Sequence, residues 1–235
     1  MNQETLIERL FQSLVSGNRV EARSLVTEAM SLEYDAETLS KHVYWPVMEM
    51  IASLYRADQI TTLAHHYGTR LLRTLVDQAQ ANYRQKERRN RTVCMFCGPT
   101  ESDELSAQLV ADLAEADGYT VYFAGGGIAN DEILAEVGER RPDVLLMFSS
   151  GAADAPQIRQ LIDTIREIQA TPNMQIVVGG GIFNRAPGLA EEIGADLWAA
   201  SPQDLLEQLV SGRERRASSQ QRTVGRMKKP TRRAA

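Results

Sequence analysis

The sequence has few cysteines, few histidines and no long apolar run, and each scarcity excludes a class of protein. Its two cysteines, Cys94 and Cys97, are too few for a disulfide framework. No apolar stretch approaches the roughly 20 residues of a bilayer-spanning helix, so we expect no membrane association. The N-terminal residues mix acids with apolar side chains and lack the apolar core of a secretory signal, which favours a cytoplasmic location. A composition of 43% hydrophobic and 24% charged residues is typical of a globular chain.

Charge is distributed unevenly along the chain. The formal net charge is −5, but residues 212–235 contain nine Lys or Arg and one acid. The preceding residues therefore carry 17 basic and 30 acidic side chains. We expect this polar, basic tail to be disordered. It could contact nucleic acid through salt-dependent phosphate contacts, or it could be a solvated tail that only aids solubility.

The first third of the chain has the apolar period of amphipathic helices. It predicts four to five antiparallel helices over residues 1–86, here called the helical cap. Because proline is tolerated in the first turn of a helix but not in its interior, we expect a new helix to begin at Pro46 and to run to about Arg56. Thr61 or Thr62 is the expected cap of the next helix. The charged residues 87–91 are the predicted linker.

The pattern changes after the linker to short apolar runs that alternate with helical stretches. Runs that are apolar on both faces are typical of a parallel sheet covered by helices on both sides. We therefore predict an α/β domain over residues 92–211, with a doubly wound, five-stranded parallel sheet of the flavodoxin-like type. The expected strands are 92–97, 119–124, 143–148, 175–178 and 196–199. The expected helices include one at 129–138, one at 155–169 and one at 186–193.

Small residues dominate the positions that follow the strands. In an open parallel sheet, ligands bind beyond the carboxyl ends of the strands. We call these positions the rim, and they comprise residues 98–103, 125–127, 149–151, 179–181 and 199–202. Glycine lets a ligand approach the backbone, and serine supplies hydrogen bonds without bulk. The rim therefore favours a large flat or elongated ligand, although ordinary tight turns would also explain it.

Several common enzyme fingerprints are missing. The chain has neither the G-x-G-x-x-G nor the G-x-x-x-x-G-K-[ST] pattern, and all three histidines (His42, His65 and His66) lie in the helical cap. No catalytic residue is assigned. Cys94 and Cys97 have the spacing of a redox motif, but residues three apart in a strand point to opposite faces, which favours buried structural thiols.

A small helical bundle followed by a flavodoxin-like domain resembles the cobalamin-binding module of corrinoid carrier proteins and of cobalamin-dependent photoreceptor regulators. In the regulators, a W-x9-E-H pattern of the cap covers the upper face of the corrin. Tyr55, His65 and His66 fall on that spacing, with Tyr in place of Trp and His in place of Glu. The resemblance implies that Tyr55 covers the ring or its upper ligand. It implies that His66, at the retained position, is the residue that could approach cobalt.

The lower face departs from the family pattern. The family has D-x-H-x-x-G after the first strand, where the histidine binds cobalt. Here Glu101, Asp103 and Ser106 occupy those positions, and a carboxylate is a poor ligand for low-spin cobalt. The other residues that the resemblance implies as cofactor-binding are Gly98, Ser149, Ser150, Gly179, Gly180 and Gly181. The chain could bind cobalamin with the cofactor's own base on cobalt, bind another tetrapyrrole, or bind none.

Three functions follow from the resemblance. The first is a sensory or regulatory protein, a class that includes transcription regulators, which binds adenosylcobalamin, methylcobalamin or another tetrapyrrole and signals to a protein partner. The second is a corrinoid carrier subunit of a methyltransferase system, which the missing histidine disfavours. The third is a ligand-free interaction scaffold with the same fold.

Overall fold

The computed structural model describes residues 2–32 and 34–218. Eleven α-helices and five strands follow one another in these ranges, with a π-helical turn at Ser40–Tyr44 and a 3-10 turn at Ala152–Asp154. The helices of the first part are α1 (Gln3–Val15), α2 (Arg19–Ser31), α3 (Ala36–Leu39), α4 (Trp45–Arg56) and α5 (Thr62–Gln80). The strands are β1 (Thr92–Cys97), β2 (Thr120–Gly126), β3 (Val144–Phe148), β4 (Gln175–Gly179) and β5 (Leu197–Ala199). The helices between and after them are α6 (Glu101–Ala116), α7 (Asn130–Arg140), α8 (Ala155–Ile168), α9 (Gly181–Arg185), α10 (Leu189–Glu192) and α11 (Pro202–Ser211).

The helical cap is held by a continuous apolar core. Leu6, Leu10 and Leu14 of α1 are at most 1% exposed and pack with Leu72 and Leu75 of α5. Side-chain caps define where the helices start, because they satisfy backbone N–H groups that have no partner in the first turn. The predicted cap of α5 is confirmed, since the Thr61 hydroxyl accepts a hydrogen bond from the Ala64 N–H at 3.2 Å.

The helix predicted from Pro46 to about Arg56 is present as α4, which begins at Trp45 and ends at Arg56, but the interruption expected before it is absent. Residues from Ala36 to Arg56 form one continuous helical run, in which α3 and α4 are joined by the π-helical turn Ser40–Tyr44. A proline has no N–H and crowds the carbonyl four residues before it. The wider π turn immediately before Pro46 lets the chain pass this position without ending the helix. The turn also places Ser40 where its side chain accepts a 2.6 Å hydrogen bond from the Tyr83 hydroxyl.

The second part is a doubly wound sheet, as the sequence predicts. All strand pairs are parallel, and the order across the sheet is β2-β1-β3-β4-β5. Side chains of β3 alternate between two cores: Val144, Leu146 and Phe148 face α6 and α11, whereas Leu145 and Met147 face α7 and α8. The strand order reverses direction between β1 and β3, so the crevice at the carboxyl ends of these strands is the usual ligand position of this fold.

The helix expected at 186–193 is shorter than predicted, since α10 spans only Leu189–Glu192, and an additional short helix, α9, precedes it at Gly181–Arg185. The segment between them contains Pro187 and Gly188, and Gly188 has a left-handed backbone with φ +85°. Proline and a left-handed glycine together interrupt the helix ladder at this point.

The basic tail is described only in its first residues. Up to Ala217 it is bound to the amino-terminal edge of the sheet, since the Gln175 amide donates to the carbonyls of Gly212 and Arg215 and the Ala217 N–H donates to Asp196. The rest of the segment predicted to be disordered, residues 219–235, lies outside the described residues. Within residues 2–32 and 34–218, no helix is both long and apolar enough to cross a membrane.

Candidate functional site

The helical cap lies directly against the rim and the start of α6. Several contacts join the two parts, and three of them involve residues at or beside the rim. The Ser106 hydroxyl lies 3.1 Å from the Met48 sulfur, the His65 Nε2 lies 3.1 Å from the Ser102 hydroxyl, and the Trp45 ring meets the Phe148 ring edge-on with centroids 6.3 Å apart. The predicted residues of the cap and of the rim therefore meet at one interface.

Tyr55 and His65 form an aromatic pair at the edge of this interface. Tyr55 is half-buried in the last turn of α4, and His65 lies in the first turn of α5. Their rings stack with centroids 4.1 Å apart and an interplanar angle of 21°. His65 is buried, and its Nδ1 has no hydrogen-bond partner. Burial, followed by the neighbouring His66, lowers the pKa of His65, while Glu101 opposes this shift. The cap–rim interface therefore contains a neutral imidazole whose Nδ1 has no hydrogen-bond partner.

His66 is placed differently from His65. It is exposed on the outer side of α5, and its ring centroid lies 5.9 Å from that of His65. Successive residues of a helix point about 100° apart, so the two imidazoles do not face the rim together. In this arrangement, His65 rather than His66 contacts the rim side.

Asp103 occupies the position of the family's lower ligand, and its carboxylate is fully engaged. The residue is 1% exposed. One carboxylate oxygen accepts a 2.6 Å hydrogen bond from the Thr100 hydroxyl, and the other accepts a 2.8 Å hydrogen bond from the Ser150 N–H. The side chain thus ties the turn after β1 to the turn after β3. Asp103 therefore has a structural role, in which each carboxylate oxygen already accepts a hydrogen bond from the protein.

The other members of the altered D-x-H-x-x-G pattern also face the protein. Ser106 is buried and donates to the Ser102 carbonyl at 2.7 Å, one turn earlier in α6. Glu101 is half-buried at the start of α6, and its backbone carbonyl accepts from Arg73. Gly98 directly follows β1, and its N–H donates to the Phe148 carbonyl at 2.8 Å.

The glycines after β4 meet the serines after β3 at very short range. Gly180 has φ +102°, and a Cβ added there would lie 2.8 Å from the carbonyl carbon of Ser149. The Ser149 N–H donates to the Gly179 carbonyl at 3.0 Å, which holds the two turns side by side. Gly181 begins α9, and Arg185 of the same helix donates to the Ser150 carbonyl at 2.5 Å. The rim glycines here permit close backbone packing within the protein.

Trp45 and Phe148 are the contacting residues that the sequence reasoning missed. They fill the space between the cap, α11 and the rim, and the cavity left between them, Gly180 and Leu205 measures about 10 Å³. A cavity of that size holds at most one water molecule. Trp45 could have been noticed as one of only two tryptophans, but nothing local in the sequence indicates that it reaches β3.

A charged cluster spans the same interface at its outer edge. Burial raises the pKa of the Glu49 carboxyl on α4, while the guanidinium groups of Arg56 and Arg185 counteract that shift. Burial and then Arg56 lower the pKa of Arg185. Since Arg185 belongs to α9 and the other two belong to α4, charge also links the cap to the rim. Within the described ranges, no group of three or more His, Cys, Asp or Glu side chains could hold a metal ion on its own.

The chain matches two protein-family models, and together they cover both parts of the fold. The family described as B12 binding domain matches residues 91–209, and a second family with the same description matches residues 6–80. No curated protein sequence matches the chain.

Solved structures resemble the chain at low identity, and one of them shows the same fold. A monomethylamine corrinoid protein of Methanosarcina barkeri is 15% identical and superposes with a TM-score of 0.70, over 90% of this chain and 100% of its own. A cobalamin-binding protein of Desulfitobacterium hafniense DCB-2 is 14% identical with a TM-score of 0.46, over 86% of this chain and 96% of its own. The methanol:cobalamin methyltransferase complex MtaBC of Methanosarcina barkeri is 14% identical with a TM-score of 0.49, over 94% and 84% respectively.

Proposed function

Because this chain belongs to the family of B12-binding domain proteins, for which a corrinoid is the indicated cofactor, we propose that it is a cobalamin-binding sensory or regulatory protein. In this proposal the bound cobalamin keeps its own nitrogen base on cobalt, and the sheet domain supplies no lower ligand. The free thiols of Cys94 and Cys97 suit a reducing cytosol as the place of action.

The observation that carries this proposal is the engagement of Asp103. Its two oxygens are occupied by Thr100 and Ser150 at hydrogen-bonding distance. All three histidines belong to the cap, so no imidazole reaches cobalt from the rim. The rim therefore fits the apolar and amide-rich faces of a corrin better than it fits a cobalt–protein bond. Binding would rest on burial of ring surface, at about 25 cal/mol per Å².

The cap supports an upper-face role for the aromatic pair. In our proposal Tyr55 and His65 would cover the corrin, and His66 is the candidate cobalt ligand from the cap. The rim residues Gly98, Glu101, Ser106, Ser149, Ser150, Gly179, Gly180 and Gly181 would line the opposite side. The unpartnered Nδ1 of His65 marks a polar group that a ligand amide could satisfy.

A corrin can enter only if the cap moves away from the rim, because Trp45 and Phe148 occupy the space between them. We expect Trp45→Ala to accelerate cobalamin association severalfold, since the edge-on ring contact no longer has to break. Stopped-flow absorbance of hydroxocobalamin binding measures this rate. An unchanged rate would mean that entry does not pass between the cap and the rim.

The direct test is an absorption spectrum of the protein purified in the dark from a cobalamin-fed host. We expect a retained corrinoid spectrum. The lower ligand can then be identified on ¹⁵N-labelled protein loaded with unlabelled cobalamin and reduced to Co(II). A ¹⁴N triplet in the electron paramagnetic resonance spectrum indicates the cofactor's own base, whereas a ¹⁵N doublet that persists in His66→Ala protein indicates another protein imidazole and overturns the assignment. A protein that retains no corrinoid in any cobalamin form contradicts the proposal as a whole.

The role of His66 has a matched control in the same domain. His66→Ala should lower cobalamin retention, whereas His42→Ala should not, because His42 is exposed on the π-helical turn and lies outside the aromatic pair. Both replacements affect exposed side chains, so neither should disturb the fold. Equal retention by the two variants would remove His66 from the site.

A second candidate is a corrinoid carrier of a methyltransferase system. It is favoured by the fold match to the entire monomethylamine corrinoid protein of Methanosarcina barkeri, with the same order of cap and sheet. This function requires that methylcobalamin bound to the chain pass its methyl group to a partner enzyme. If the bound methylcobalamin stays methylated in the presence of methyl-acceptor enzymes, the carrier function is excluded and the regulatory function is retained.

A third candidate is a ligand-free scaffold, which the direct contact between Trp45 and Phe148 favours. In that case neither His66→Ala nor Trp45→Ala should affect anything except stability.

The nucleic acid contact predicted for the basic tail concerns mainly residues outside the described ranges. A chain shortened by residues 212–235 should lose salt-dependent DNA binding if the tail provides it.

A further inference from the structure

A cavity at the rim lies on the face of the sheet opposite the cap. It measures about 310 Å³ and opens between α7 and α8, over the carboxyl ends of β1 and β3. These two strands flank the point where the strand order reverses, which is the position where doubly wound sheets bind ligands. It is distinct from the space beneath the cap, where Trp45 lies, because the α7–α8 core and the cap-side core occupy opposite faces of the sheet.

The cavity has a mixed lining of apolar and polar side chains. Its apolar members include Phe96, Met147, Ile133, Ile158 and Leu161, which belong to or pack against the α7–α8 core. A volume near 310 Å³ is at the lower end of small-molecule sites, which suits one ring or two fused rings.

The charged side chain that lines this cavity is the carboxylate of Asp154. The lining side chains include the Asp154 carboxylate and the amides of Asn130 and Gln157, but no Lys, Arg or His. One Asp154 oxygen accepts a 2.6 Å hydrogen bond from the Ser149 hydroxyl. A carboxylate can accept further hydrogen bonds at both oxygens, so it remains able to bind a donor from a ligand.

We propose that this cavity is a second binding site, which takes a small organic cation with an apolar ring and an amine or amidine group. The ring lies against Phe96 and Met147, and the cationic group donates to Asp154. A charge-assisted hydrogen bond to a carboxylate in a partly apolar cavity favours such a ligand over an anion of the same shape. The apolar residues that carry this site lie on the α7–α8 side of the sheet, whereas Gly98 and Ser149 line both this cavity and the proposed corrinoid site.

The test uses benzamidine as the cationic probe and benzoate as its anionic counterpart of the same shape. Methyl-labelled full-length protein is titrated with each probe, and the methyl signals of Ile133, Ile158 and Met147 are followed by NMR. We expect benzamidine to shift these three signals selectively, and benzoate to bind at least about tenfold more weakly.

Two variants and one control decide the role of the carboxylate. Asp154→Asn keeps an oxygen for the Ser149 hydroxyl but removes the charge, and should weaken benzamidine binding about tenfold. Ala129→Trp, at the exposed lip of the cavity, should obstruct binding without touching the core. Asp131→Asn, on α7 but outside the lining, should change nothing. Absence of methyl shifts up to about 10 mM benzamidine overturns the proposal, as do equal affinities for the two probes or an unaffected Asp154→Asn variant.

Discussion

Gly180 offers a sharp test of how the rim is packed. It has φ +102° and ψ 170°, a backbone region that only glycine occupies without strain. An added Cβ would lie 2.8 Å from the carbonyl carbon of Ser149 and 2.9 Å from its nitrogen, closer than real Cβ contacts. The strain costs about 1–3 kcal/mol and the overpacking about 1–3 kcal/mol. We therefore expect Gly180→Ala to reduce the free energy of unfolding by about 2–6 kcal/mol.

Two other glycines separate the two contributions. Gly188 has φ +85° but open space around its Cβ position, so Gly188→Ala should cost only about 1 kcal/mol of backbone strain. Gly138 is inside α7 with neither strain nor a neighbour within 4 Å, so Gly138→Ala should stabilise by about 0.5–1 kcal/mol. Urea unfolding of the three variants measures all these differences. If Gly180→Ala costs no more than Gly188→Ala, the turns after β3 and β4 are not packed as described.

Two further predictions concern groups with displaced pKa values. Burial, and then the carboxylates of Glu115 and Asp77, raise the pKa of Asp112 to about 7. The folded state thus holds this proton more tightly than the unfolded state does, so the free energy of unfolding should fall as pH rises from about 4 to about 7; urea unfolding across this range should be flatter for Asp112→Asn. Burial raises the pKa of Cys94 to about 11 and that of Cys97 to about 12, so both thiols should react with iodoacetamide at pH 8 far more slowly in the native protein than in urea, as mass spectrometry can measure.

The order of strands and helices could be predicted from the sequence because each strand of a doubly covered sheet is a short apolar run. The run at 143–148 is an example, since all of Val144–Phe148 is buried. Cys94 and Cys97 show that face assignment also succeeds: Cys94 belongs to the α7–α8 core and Cys97 packs against the cap-side core. The errors occur where local rules compete with packing. At Pro46 the chain uses a π turn that no local pattern signals, and it continues the helix that the proline rule ends.

The candidate site was less accessible to sequence reasoning, because its members meet across long chain separations. Tyr55 and His65 stack at the interface because they lie on consecutive helices joined by a short turn, a pairing that the sequence reasoning did not predict. Trp45 and Phe148 are separated by about a hundred residues, and their contact depends on how the cap docks on the sheet. Spacing within one helix does not report such a contact.

Asp103 shows that the residue type at a position does not by itself decide whether its side chain is free to bind a ligand. The sequence establishes that a carboxylate replaces the family's histidine, and ligand chemistry alone makes cobalt coordination unfavourable. The structure adds that both oxygens are already bound, to Thr100 and Ser150. Asp103→His would therefore not restore a lower ligand simply by restoring the pattern. It would leave the Ser150 N–H without its carboxylate acceptor and would loosen the turn that holds the rim. Recovery of a ¹⁵N doublet in labelled Asp103→His protein, with unchanged stability, would show that the carboxylate network is dispensable.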